Sequence, residues 1–120
     1  MRARFSAFAL REVDYLLRTL HSTHEDHGLP EIAARRSVLD TCRDNRFVRL
    51  EVLGSSPEDT AGVSRVLFLA HIFRKGRDVG FAELSDFRVE EGELRYVSGR
   101  FIPRERLRAG ASFEELSREL

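Results

Sequence analysis

Glu83 is a carboxylate placed where the chain asks for an apolar residue. The stretch Val79 to Val89 reads as a β-strand, and its alternate positions Val79, Phe81, Glu83, Ser85, Phe87 and Val89 share one sheet face. With large apolar neighbours on that face, the acid must find a partner, stay protonated or serve a ligand. A carboxyl tuned by burial against Phe81 and Phe87 is the raw material of a general acid or base. A two-residue hairpin loop at Glu91-Gly92 makes paired residue numbers sum to a constant. Phe87 then faces Tyr96, Ser85 faces Ser98 and Glu83 faces Arg100. The expected site is therefore Glu83 with Arg100 as its cation, walled by Phe81, Ser85, Phe87 and Tyr96, with Tyr15 as a hydrogen-bond donor. Such a cross-strand Glu–Arg pair is more often structural than catalytic.

His71 has two readings. A second two-residue loop at Lys75-Gly76 puts Phe68, Ala70 and Ile72 on the Glu83 face and turns His71 to the other; a bulge there reverses the assignment. His21, His24 and His27 are spaced by three in a polar loop without a fixed carboxylate pair and read as surface histidines, so no metal site is expected. Cys42 is the single cysteine, which excludes an internal disulfide and a cysteine-based zinc cluster. It reads as a small buried apolar residue, and no cofactor is implied.

These side chains need elements to hold them. Residues 2–20 read as helix in two pieces, one carrying Phe5 and Phe8 and a second running from Val13 to Leu20. Leu10, Val13, Leu17 and Leu20 form the expected buried stripe, widened by Leu16. Pro30 suits the first turn of a third helix that carries Ile32, Val38, Leu39 and Cys42 inward. Strands follow at Phe47–Leu53 (Val48, Leu50 and Val52 on one face), Val63–Phe73, Val79–Val89 and Leu94–Ile102, stopped by Pro103. Ser112 and Glu115 form a capping box for a C-terminal helix bearing Phe113, Leu116 and Leu120. Helices first and a meander of long antiparallel strands after them is an α+β pattern. The expected division is a domain at 1–103 and a helical tail at 104–120.

At 120 residues, 42% hydrophobic and 33% charged, the chain is a single globular domain. No run of apolar residues is long enough to span a bilayer, and Met1-Arg2-Ala3-Arg4-Phe5 lacks the apolar region of a signal peptide. Cytoplasm is the expected compartment. A formal net charge of zero argues against a general nucleic-acid binder, although Arg100, Arg104, Arg106 and Arg108 cluster locally.

Two sets of residues resemble a known family. Arg2-Ala3-Arg4-Phe5-Ser6-Ala7-Phe8 with Val13-Asp14-Tyr15-Leu16-Leu17 looks like the opening of the YchJ-type domain. Glu83-Leu84-Ser85-Asp86-Phe87 fits its E-x-S-x-F strand signature, and Tyr96-Val97-Ser98-Gly99 its closing strand. The resemblance implies a nuclear-transport-factor-2-like (SnoaL-like) fold, a curved antiparallel sheet around helices with an interior pocket. Members often carry cysteine-rich SEC-C zinc motifs, for which the lone Cys42 cannot account. The resemblance implies no particular reaction, and the wider fold hosts isomerases, dehydratases, epoxide hydrolases and binding modules. The expected function is a ligand-binding or protein-interaction module. It would form a homodimer through an outer sheet face bearing Leu67, Leu69, Leu84 and Val97. The alternative is a lyase, isomerase or hydrolase using Glu83. Least favoured is a nucleic-acid-associated adaptor.

Overall fold

A computed structural model describes residues 1–24, 28–103, 105–106, 110 and 112–118. Three helices lead: α1 (Arg2–Leu10), α2 (Val13–Arg18) and α3 (Glu31–Asp44). Strands β1 (Arg46–Ser56), β2 (Ser64–Arg74), β3 (Arg77–Asp78), β4 (Phe81–Glu90) and β5 (Glu93–Ile102) follow, then α4 (Phe113–Arg118). Every strand pairing is antiparallel, in the order β1-β2-β4-β5, with β3 paired to β2. The architecture is α+β, as the element order implies.

The N-terminal helices break at Arg11, whose φ of 59° is left-handed, while the Glu12 N–H reaches back to the Ala7 carbonyl at 2.8 Å. That break resets the helical phase, so the single stripe expected from Leu10 to Leu20 does not exist. Leu10 is 71% exposed whereas Leu16 is 1% exposed. On α3 the inward ridge is Ala34, Val38 and Cys42, spaced by four. Ile32 and Leu39, expected inside, point outward. Both two-residue hairpins form: Lys75-Gly76 and Glu91-Gly92 each have positive φ at both positions, matching the twist of the flanking strands.

One sheet face carries Phe68, Ala70 and Ile72 and packs against Phe5, Phe47 and Phe81. A bulge between Phe47 and Arg49 turns Phe47 to this inner face beside Leu50 and leaves Val48 exposed, correcting the simple alternation expected there. Phe8 stacks on Phe47 with ring centroids 5.4 Å apart, tying α1 to β1. The outer face carries Leu67, Ala82, Leu84 and Ile102, covered by Leu116 with Phe113 of α4. Leu67 and Leu84, read from the sequence as an exposed dimer surface, are 2% and 1% exposed because α4 lies on them. The Ser112 hydroxyl accepts the Glu115 N–H at 3.2 Å and caps α4 as expected.

Candidate functional site

Between the helices and the inner face lies a cavity of about 250 Å³. Its apolar walls are Met1, Phe8, Leu16, Leu20, Val38, Phe68 and Phe81. Its polar groups are Arg4, His24, Ser37, Thr41, Glu83 and Tyr96. A second apolar pocket of about 170 Å³ adjoins it, sharing Met1, Phe8, Thr41, Phe68 and Phe81.

β4 positions Glu83 opposite Phe68 on β2 and Phe101 on β5. The hairpin register holds from Glu90↔Glu93 to Phe87↔Tyr96, then shifts by one, so Asp86 faces Ser98, Ser85 faces Gly99 and Leu84 faces Arg100. Val97 is the extra residue. A one-residue shift exchanges the faces of everything after it. Arg100 therefore points to the outer face and is exposed, and the expected Glu83–Arg100 pair does not form. Gly99 takes the inward place instead. A Cβ at Gly99 would overlap the Glu83 carboxyl and come within 2.5 Å of the Tyr96 hydroxyl, so only glycine leaves room for this arrangement.

Glu83 is 9% exposed. Its Oε2 accepts the Ser85 hydroxyl and, at 3.2 Å, the Tyr96 hydroxyl. Burial pushes its pKa above the ordinary carboxyl range; the Ser85 and Tyr96 hydrogen bonds and the charge of Arg4 pull the other way. Tyr96 is itself pushed upward by burial and by Glu83, which keeps its phenol protonated and donating. Its ring packs edge-on against Phe87 at 5.7 Å, and its backbone N–H and C=O pair with Thr19 and His21, fastening the end of α2 to β5.

The cation of the site is Arg4, on the buried side of α1. Its guanidinium lies 5.0 Å from the centre of the Tyr96 ring, while Nη1 donates to the Leu16 carbonyl at 3.1 Å and to the Thr19 hydroxyl. Burial lowers its pKa, opposed by Tyr96, Tyr15 and Glu83.

The structure thus brings together Glu83, Ser85, Phe81, Phe87 and Tyr96 from the sequence reading, and leaves out three residues. His71 sits on the opposite face, where its Nε2 is 3.2 Å from Glu51, in keeping with the two-residue loop. Tyr15 packs with Ala7, Leu16 and Cys42 beneath the Arg18 guanidinium and does not line the cavity. Arg100 is on the outer face. Among the loop histidines, His21 holds Thr23 and Glu90, His24 packs against Tyr96 at 5.6 Å, and His27 lies outside the described residues. Arg4 and Gly99 were missed. Their signals were a cation three residues from Ala7 on a helix face, and a glycine inside a strand pattern.

An antiparallel meander with N-terminal helices over one face and a polar-headed cavity between them defines an NTF2-like domain. The chain belongs to the YchJ family: the family model of the YchJ middle NTF2-like domain matches residues 1–99. A UPF0225 protein of Bordetella pertussis is 34% identical over 99 residues, covering 82% of this chain and 67% of the relative. The solution structure of a SEC-C motif containing protein from Rhodopseudomonas palustris aligns with a TM-score of 0.71 at 27% identity, covering 86% of this chain and 76% of that one. An LEH-like epoxide hydrolase of M. tuberculosis aligns over 98% of this chain and 86% of its own with a TM-score of 0.54. At 16% identity that likeness is one of fold. No helix among the described residues is long and apolar enough to cross a membrane.

Proposed function

We propose that this domain binds a small, largely apolar molecule whose polar end meets Glu83, Tyr96 and Arg4. The observation that carries this reading is a carboxyl with raised pKa lining an apolar-walled cavity, held there by Ser85 and Tyr96 rather than neutralised by a direct ion pair. Apolar walls with a few convergent polar groups are the usual composition of a ligand site. A thermal-shift screen of small aromatic and alicyclic compounds tests it, with wild type run beside Glu83→Gln. Hits should raise the wild-type midpoint by a few degrees and lose most of that effect in the variant. Hits indifferent to the substitution would sink the reading.

A second reading, general acid–base catalysis at Glu83 by a lyase, isomerase or hydrolase, is favoured by the same raised pKa. Tyr96 would then donate to developing negative charge, the part the sequence reading gave to Tyr15. Incubation with epoxides and enolisable ketones decides it: turnover abolished in a folded Glu83→Gln variant supports catalysis, and turnover unchanged in that variant removes it.

A further inference from the structure

We infer that the cavity selects uncharged ligands carrying an N–H or O–H donor beside their apolar body, such as carboxamides and alcohols, over carboxylates. This rests on the binding reading above and adds the class of ligand.

The first argument is charge. Arg4 and Glu83 line one small cavity, so their opposite charges cancel at its scale. An anion placed there gains Arg4 but shares a low-dielectric space with Glu83, and an ammonium has the reverse difficulty. Arg4 is also already engaged. Its Nη1 serves the Leu16 carbonyl and Thr19, and its guanidinium lies by the Tyr96 ring, so a carboxylate cannot use Nη1 as one arm of a two-bond clamp without giving up those contacts.

The second argument is the supply of acceptors. Both hydrogen bonds to Glu83 end on Oε2, the oxygen pressed against Gly99. Oε1 carries none among the described residues. An ionised carboxylate oxygen can only accept, so it asks the ligand for a donor. On α3 the Thr41 hydroxyl donates at 3.0 Å to the carbonyl of Ser37, which leaves its oxygen lone pairs as another acceptor beside the cavity. The hydroxyl donors beside the carboxyl, on Ser85 and Tyr96, are spent on Glu83 itself.

Three nearly isosteric probes separate these demands: benzamide, acetophenone and benzoate. Amide chemical-shift titrations on the isotopically labelled chain at pH 8 give each Kd, with shifts at Glu83, Tyr96 and Gly99 locating the bound probe. Benzamide should bind at least about tenfold tighter than either of the others, because only it donates to Oε1 without adding charge. In Glu83→Gln, whose side-chain amide both donates and accepts, the gap between benzamide and acetophenone should close. Benzoate binding tighter than benzamide overturns the inference but leaves the binding reading standing, and so does acetophenone matching benzamide in wild type. Binding of none of the three at the cavity overturns the binding reading, and this inference with it.

Discussion

Gly99 is the residue on which the polar site turns, although it contributes no side chain. Its missing Cβ is the space that the Glu83 carboxyl and Tyr96 hydroxyl occupy. Gly99→Ala should therefore cost about 1–3 kcal/mol in denaturant unfolding, as overpacking of a filled site does. The same change at Gly28, where a Cβ meets nothing within 4 Å and the backbone is not left-handed, is the control that lacks the clash. Glu83 makes a prediction with a definite sign. Its folded pKa lies above its unfolded one, so between the two the folded chain holds more protons. Stability from this group is highest at low pH and falls as pH rises through the raised pKa. Glu83→Gln should lack that decline, so the variant gains on wild type as pH rises from the ordinary carboxyl range; a constant difference across pH would refute the shifted pKa. Arg4→Met tests the cation: losing the bonds to Leu16 and Thr19 should cost about 1.5–3 kcal/mol and loosen the α1–α2 junction. At this scale the sequence was half legible. Alternation placed Glu83, Ser85 and Phe87 on a common face, since period two needs no tertiary knowledge. It could not supply Arg4, because a helix residue meets a strand only through packing.

Among the elements, β5 shows most clearly where sequence reasoning stops. Loop length at Glu91-Gly92 fixed the register from the turn up to Phe87↔Tyr96. Beyond it, Val97 adds one residue, and Arg100 exchanges places with Gly99. Nothing local announces that bulge except the glycine that benefits from it. Deleting Val97 should restore the uninterrupted register. It would drive Arg100 inward and turn Ile102 out of the outer core, where it is 8% exposed. Loss of a cooperative thermal transition by circular dichroism is the expected result, because a slipped strand presents the wrong face along its remaining length. The helices show the same limit. The break at Arg11 was legible as two pieces, but not the phase of the second, which decides that Leu16 rather than Leu10 is buried.

At the scale of the whole molecule, helices-then-meander identified the architecture because element order and hairpin chemistry are written locally. What covers each sheet face was not. The outer face reads from the sequence as a partner surface, and α4 lies on its Leu67 and Leu84, with Leu116 1% exposed. Removing residues 104–120 should uncover Leu67 and Leu84 and raise the mass measured by light scattering as concentration increases; an unchanged monomer mass would show that α4 is dispensable as a cover.

The backbone bonds joining Thr19 and His21 to Tyr96 have a bearing on how the protein is made. They bring a helix from the first sixth of the chain against its last strand, so the chamber has no floor until β5 has been synthesised. Local hairpins can close early, but the Arg4–Tyr96 contact spans about three quarters of the sequence, the kind of long-range closure that sets a slow rate. During synthesis α1 and α2 can pack on α3, β1 and β2, but the cavity between them must wait open for that strand, and it is then, rather than in the finished molecule, that this domain is most exposed to aggregation.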